Sequence, residues 1–394
     1  MCLDVVSILL IVLIISVVTY LFCIGSFTFG FYRLKRTSLE MSKGIKNHSS
    51  DAVPNLKSVS ILVAARNEEE NIERLLQAVY NQSFNKYNME LVIVDDHSTD
   101  DTYYIVERFI QSHKDLKIKL VRAKEEGKKK AVSEALHYAD NEIVLVTDAD
   151  CDFSSEWLPS MLSYFVNNDL KMLLGPVQLS PANTLFEKLQ VLEHLSLIGS
   201  TAGSVSIGMP VMCNGANMMY CRSSAIDVER FRTDMDIASG DDMFLMEQFV
   251  AHYGSGSVGF LLDRDAIVRT RTMPDIKSFV RQRRRWASKT KSYTNVKIIA
   301  TALIVLMICL SMALTFLGGF FNPMLWVVYF ISVIVKSLID YPLLSMITSF
   351  TKQRQLLSWV LPLECIYPFY VVIIGLSSLL PCSKRNRKYP LRWR

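Results

Sequence analysis

Apolar and polar positions divide this chain into four long apolar blocks around a mixed middle. Val5–Phe31 is an almost uninterrupted apolar run, and Ile298–Phe321, Met324–Phe350 and Leu356–Leu380 are three more. Each is near or above the ~20 residues that a helix needs to cross hydrocarbon. Between them the period changes. Val59–Ala65 is a short continuous apolar run with polar flanks, the pattern of a strand buried on both faces, Leu91–Val94 is a second such run, and Ile118–Val121 and Ile143–Thr147 are further strands. Helical spacing separates these runs, through Leu75, Leu76 and Val79, through Ile105, Val106, Phe109 and Ile110, and over Ala131–Tyr138. Alternating strand and helix predicts an α/β domain with a parallel sheet and its ligand at the carboxyl ends of the strands. Leu185, Leu189, Leu192 and Leu195, followed by Gly199 and Gly203, predict a helix that lies along a membrane surface or in a buried core.

Charge sets an orientation. The first block is preceded by Asp4 and no Lys or Arg, and is followed by Arg33, Lys35 and Arg36. That pattern reads as a signal anchor with its C-terminal end in the cytosol. The expected organisation is a membrane helix over 1–33, a linker over 34–55, a cytosolic domain over 56–292, a membrane region of two to three spans over 297–381 and a basic tail over 382–394. Pro362, Glu364 and Pro368 interrupt the last block. A spanning helix there puts Lys384, Arg385, Arg387 and Lys388 outside, against the positive-inside rule, whereas a re-entrant or interfacial one returns them to the cytosol. Both remain open at this point.

Composition agrees with a membrane protein: 50% of residues are hydrophobic, against 21% charged. The net charge of +5 is mild, and the basic residues sit beside apolar blocks, so a lipid bilayer with anionic headgroups is the expected partner and nucleic acid is not. The eight cysteines are scattered without a CxxC pair, which argues against a zinc–thiolate site and a disulfide framework.

The polar residues of the middle fall where the strand-end rule wants them. The first strand runs into Arg66 and Glu68, the second into Asp95 and Asp96, and the fourth into Asp148 and Asp150. So acidic a rim repels a diphosphate unless a cation intervenes. Asp148 and Asp150, two residues apart beyond a strand, are placed to hold Mg²⁺ or Mn²⁺ through oxygen, with phosphate oxygens completing the shell. Lys128 adds a positive contact for a nucleotide. Further along, Asp241 and Asp242 precede a helical pattern, and one of them suits a general base; acids at a helix start are also favourable for the dipole alone. Asn214 and Gly215 lie in a turn. Gln282, Arg285 and Trp286 fall on successive helical positions before the second apolar block. Arginine there suits a diphosphate and an indole face suits a sugar ring, while a basic juxtamembrane stretch also suits anionic lipid.

In order along the chain, SILVAARNEE, VDDHSTD, DAD, SGDD and QRRRW make residues 58–290 and the flanking apolar blocks resemble the membrane-bound family-2 glycosyltransferases, the group of cellulose, chitin and hyaluronan synthases and ceramide glucosyltransferase. The resemblance implies a GT-A (Rossmann-like) α/β domain with one N-terminal and about three C-terminal transmembrane helices, a UDP-sugar donor, and inversion at the anomeric carbon. It places Arg66, Glu68, Asp95, Asp96 and Lys128 around the nucleotide, Asp148 near the ribose and diphosphate, and Asp150 on the metal. Asp242 matches the general base. Gln282, Arg285 and Trp286 match a QxxRW motif, and Asn214, Gly215 and Asp241 line the acceptor side. The chain departs from the group at Arg66, where many members carry tyrosine, and in its low number of apolar blocks. The expected activity is metal-dependent transfer to a lipid or glycan acceptor in a bacterial inner membrane. The alternatives are a processive polysaccharide synthase with an export or assembly partner, and a non-catalytic sugar-nucleotide-binding subunit.

Overall fold

A computed structural model describes residues 4–45, 57–229 and 241–379. The described residues form two compact units, one of residues 4–33, 181–212 and 272–379 and one of residues 34–45, 57–180, 213–229 and 241–271.

The second unit is built on a seven-stranded sheet. Numbered along the chain, its strands are β1 (Val59–Ala65), β2 (Met89–Asp95), β3 (Lys117–Arg122), β4 (Ile143–Asp148), β5 (Met172–Leu174), β7 (Met218–Cys221) and β8 (Val258–Phe260), in the order β3-β2-β1-β4-β7-β5-β8. The strands β6 (Val177–Ser180) and β9 (Val268–Arg271) pair separately, in parallel. β1, β2, β3 and β4 pair in parallel, as the alternation of strand and helix predicts. β7 runs antiparallel to both β4 and β5, so the sheet is mixed where the sequence predicts it parallel. β1 and β2 are buried at every position, which explains why apolar residues dominate both. Helices α2 (Ile72–Tyr80), α3 (Thr102–Ser112) and α4 (Lys128–Tyr138) link the parallel strands, and α5 (Trp157–Asn167), α7 (Arg222–Glu229) and α8 (Asp241–Tyr253) follow.

The other unit is helical. It holds the start of α1 (Val5–Ile45), then α6 (Leu185–Ser206), α9 (Ile276–Ala287), α10 (Val296–Gly318), α11 (Met324–Phe350) and α12 (Val360–Leu379). Four described helical stretches, 5–38, 296–318, 324–350 and 354–378, are long and apolar enough to cross a membrane. α1 does not stop at the basic residues after the first apolar block, because no proline or glycine intervenes before Gly44. α6 is a buried helix, with Gln190 to Val205 almost wholly covered. A β-carbon on Gly203 would lie 2.0 Å from the Phe27 carbonyl oxygen, so α1 and α6 cross at a spacing that only glycine permits. α12 is continuous through the residues that the sequence reads as breaks. Pro362 lies in its first turn, where a missing N–H costs little, and Pro368 is taken up inside the helix. Arg284 Nη2 donates to the Ser377 carbonyl at 3.2 Å, so α12 ends beside α9.

Candidate active site

Strand register decides which polar side chains share an edge. Ala65 of β1 pairs with Asp95 of β2, and Ala64 pairs with Asp148 of β4. The residues that follow these strands therefore emerge together at one carboxyl rim. Because β7 is antiparallel, Val146 of β4 pairs with Met218 at the start of β7. That register brings the turn before β7, with Asn214 and Gly215, to the same rim.

At the β1–β2 end, Asp96 is fully buried and its carboxylate is the hub. It accepts from the Gly127 amide at 3.0 Å, with Arg66 Nη1 at 3.3 Å and His97 Nδ1 at 3.1 Å. Arg66 also pairs with Glu126 at 2.5 Å. Asn67 takes a left-handed conformation with φ 54, from which its Oδ1 accepts the Thr99 amide at 2.8 Å. Glu68 is buried; its amide donates to Thr102 Oγ1 at 2.7 Å and its carboxylate accepts from Asn71 Nδ2 at 2.6 Å. Asp95 is buried as well, and its Oδ1 has no partner among the described residues. A buried carboxylate oxygen without a donor is costly.

At the β4 end, Lys128 Nζ lies 2.5 Å from Asp148 Oδ1, with Asp148 30% exposed. Asp150 Oδ2 accepts from Thr270 Oγ1 of β9 at 3.0 Å, and its carbonyl accepts from Arg74 Nη2 at 3.2 Å. Reciprocal backbone bonds between Asp152 and Arg269, at 2.9 and 2.7 Å, zip this loop to β9. Thr270 and Arg74 escape the sequence reading, since nothing local marks a hydroxyl far along the chain as the partner of Asp150. Burial, and the nearby Asp150 and Asp148 carboxylates, push the Cys151 thiol well up.

Among the described residues no group of three His, Cys, Asp or Glu side chains is gathered as a metal cage. The donor set at Asp148 and Asp150 is instead a pair of hard carboxylates. Such a pair fits Mg²⁺ or Mn²⁺ held partly by substrate phosphates, rather than an all-protein site.

Asp242 lies in the first turn of α8. Its Oδ2 accepts the Gly215 amide at 3.0 Å and its Oδ1 accepts the Met243 amide at 2.9 Å. Gly215 packs against this side chain, since a β-carbon there would stand in ordinary contact, 3.4 Å from Asp242 Cβ. Asn214 Oδ1 accepts the Ala216 amide at 3.1 Å and closes the turn. Behind it the fully buried Asn217 accepts from Trp157 Nε1 at 3.0 Å and donates to the carbonyls of Pro176 and Ala266 at 2.9 and 2.8 Å. This fixes the entry to β7 and hence the Gly215 amide. Asp241 begins α8, and its side chain lies outside the described residues.

Gln282, Arg285 and Trp286 all lie on α9, in the helical unit. Gln282 Oε1 accepts from Arg283 Nη1 at 2.6 Å, and the Trp286 ring centroid is 4.2 Å from Arg283 Cζ.

The rim joins a mixed sheet with acidic strand ends to a helix-opening aspartate, and sequence comparison places this arrangement among known domains. Residues 60–228 match the family model described as Glycosyl transferase family 2, so this segment is a family-2 glycosyltransferase domain. Poly-beta-1,6-N-acetyl-D-glucosamine synthase of Staphylococcus aureus (strain COL) is 26% identical over 214 residues, 54% of this chain and 50% of that protein. Glycosyltransferase AglE of Haloferax volcanii is 28% identical over 128 residues, 32% of this chain and 42% of that protein. The chain thus spans about half the length of the curated relatives it matches. Among solved structures, mannosyltransferase PcManGT from Pyrobaculum calidifontis, in complex with GDP-Man and Mn²⁺, superposes with a TM-score of 0.55 at 18% identity. The match covers 93% of this chain and 99% of that one. At that identity the likeness shows a shared GT-A-like fold.

Proposed function

We propose that the chain is an inverting glycosyltransferase that moves a sugar from a UDP-sugar to a lipid or membrane-delivered acceptor. The carrying observation is the common rim: β1, β2, β4 and the turn before β7 deliver Arg66, Asp95, Asp96, Asp148, Asp150 and the Gly215–Asp242 pair to one sheet edge. The unpartnered Asp95 Oδ1 accepts from the nucleotide base, while Arg66, Glu68 and Asp96 shape the pocket around base and ribose. Lys128, paired with Asp148, supplies a cation beside the diphosphate. Asp150 and Asp148 would hold a divalent metal. When bound, that ion neutralises charge on the departing diphosphate.

Asp242 takes the proton from the acceptor hydroxyl. The acceptor oxygen forms its bond to the anomeric carbon on the face opposite the leaving group. The bond from that carbon to the phosphate oxygen breaks, and UDP departs with the electron pair. The backbone N–H groups of Gly215 and Met243 hold the Asp242 carboxylate in one orientation, so its remaining lone pairs have a fixed direction. Asn214, Gly215, Asp241 and Trp286 are assigned to the acceptor, and Gln282 and Arg285 to the donor diphosphate. The apolar helices make the chain an integral membrane protein, with a bacterial inner membrane and a cytosolic catalytic domain as the proposed setting.

A second reading, a processive synthase with an export partner, is favoured by the polymer-synthase name of the Staphylococcus aureus relative. One experiment addresses both. Purified full-length chain in detergent is supplied with Mn²⁺ or Mg²⁺, membrane lipid extract and, in turn, UDP-glucose, UDP-N-acetylglucosamine and GDP-mannose. Nucleoside diphosphate release with one UDP-sugar, abolished by EDTA, supports the proposal, and product length separates single from repeated transfer. Release from GDP-mannose alone overturns the donor assignment. Donor binding without release from any sugar favours the non-catalytic subunit.

A further inference from the structure

The QRRRW segment carries one arginine whose surroundings differ from those of its neighbours. Ile276, Phe279, Val280, Arg283 and Trp286 recur at the spacing of one helix face, so Arg283 occupies a position that the pattern reserves for an apolar side chain. It is 5% exposed, the only residue of α9 that is fully buried. Its guanidinium forks onto Glu193 of α6, with Nε at 3.2 Å from Oε1 and Nη2 bonded to Oε2. Tyr370 of α12 donates to the same Glu193 Oε1 at 3.1 Å. The carboxylate therefore accepts three bonds from two other helices, and a buried arginine is paired as burial demands.

What the guanidinium does with its remaining surfaces concerns the motif. Nη1 donates to Gln282 Oε1 at 2.6 Å. Arginine has no acceptor, so the amide atom facing it has to be the oxygen, and the Gln282 Nε2 hydrogens are left for some other acceptor. The guanidinium carbon also lies 4.2 Å from the Trp286 ring centroid and 4.6 Å from that of Phe279.

We propose that Arg283 is a positioning residue: anchored by Glu193 and Tyr370, it fixes the Gln282 amide as a donor and holds the Trp286 ring in place. The inference rests on the role assigned to Gln282 and Trp286 above. It deepens that role, because it makes the motif a unit whose orientation is set from α6 and α12. Lysine in place of Arg283 keeps one charge on Glu193 but loses the fork, so it cannot hold Glu193 and Gln282 together.

Two measurements on the full-length chain in detergent test this. In a transfer assay, Arg283→Lys lowers turnover about tenfold. In a Gln282→Ala/Trp286→Ala background the same substitution costs less than about twofold, since it then has nothing left to position. An equal cost in both backgrounds marks an independent structural role and overturns the proposal. The second measurement needs no turnover. In 5-fluorotryptophan-labelled protein, the resonance identified as Trp286 by its loss in Trp286→Phe shifts in Arg283→Lys and in Glu193→Gln, while that of Trp157 stays. An unmoved Trp286 resonance overturns the proposal whatever the activity. If Trp286 shifts yet Gln282→Ala and Trp286→Ala leave turnover unchanged, the positioning stands and the functional reading of the motif fails.

Discussion

The two units treat buried charge in opposite ways. In the sheet unit the rim is unevenly satisfied: Asp96 is a hub for three donors, whereas Asp242 is held by two backbone amides and Asp95 has an oxygen that has no partner among the described residues. In the helical unit the charges close on one another. Lys336 of α11 lies 2.7 Å from both Asp340 and Glu364, the latter on α12, and Tyr20 of α1 donates to Asp340 at 2.8 Å. Arg283, Glu193 and Tyr370 form a second closed set. A network that is satisfied internally fixes helices and offers little to a ligand. A rim that is partly satisfied costs stability and offers acceptors. The difference separates residues that hold the protein together from those that do chemistry.

Breaking a closed set gives the largest expected effect on stability. Lys336→Met leaves two carboxylates buried without a cation, and it destabilises the chain by about 3–5 kcal/mol, read as loss of cooperative thermal unfolding or of folded yield in detergent. The triple variant Lys336→Met/Asp340→Asn/Glu364→Gln removes the whole charge set and recovers most of that loss. A triple variant as unstable as the single one would show that the lysine acts through packing. At the rim the expected loss is in binding. Asp150→Ala weakens metal-dependent donor binding about tenfold or more by calorimetry, roughly 1.4 kcal/mol, with thermal stability little changed. Donor affinity that stays the same and stays sensitive to EDTA removes Asp150 from the metal site.

The smallest effect lies at the opposite edge of the sheet. The Lys117 and Lys119 ammoniums beside Asp140 hold its carboxyl well below the usual carboxylate range. A carboxyl lowered in the folded state contributes stability above its unfolded pKa of about 3.9, and that contribution is lost as pH falls further. Because Asp140 is 52% exposed, solvent screens the pair. Asp140→Asn should therefore lower Tm by only about 1–2 °C at pH 6 and flatten its decline towards pH 3. A larger change at pH 6, undiminished by salt, would mean the pair is not a surface interaction.

Legibility in the sequence follows the range of the interactions involved. The parallel strands β1, β2 and β4 are rich in apolar residues and flanked by polar ones, so their ends, and with them Arg66, Asp96 and Asp148, can be placed from the chain alone. β5, β7 and β8 have only three or four residues each, too few for a period, and the reversal at β7 depends on pairing that no local pattern encodes. The same limit hides the contacts between Thr270 and Asp150 and between Gly215 and Asp242, which join residues 120 and 27 positions apart. Pro362 and Pro368 mislead in the other direction. As breakers they suggest an interrupted last block, yet a first-turn proline and one internal proline leave α12 continuous. Arg283 was legible in principle, as a charge on the apolar face of α9, although its partners on α6 and α12 were not.

The most direct test of the account concerns Asp242. Transfer and UDP binding are measured on wild type and on Asp242→Asn, an isosteric change that still accepts the Gly215 amide through its carbonyl oxygen. The account predicts that transfer falls by about a thousandfold or more while UDP affinity stays within about twofold. Transfer that persists in Asp242→Asn, or UDP affinity that falls in step with it, would contradict the assignment of Asp242 as the base.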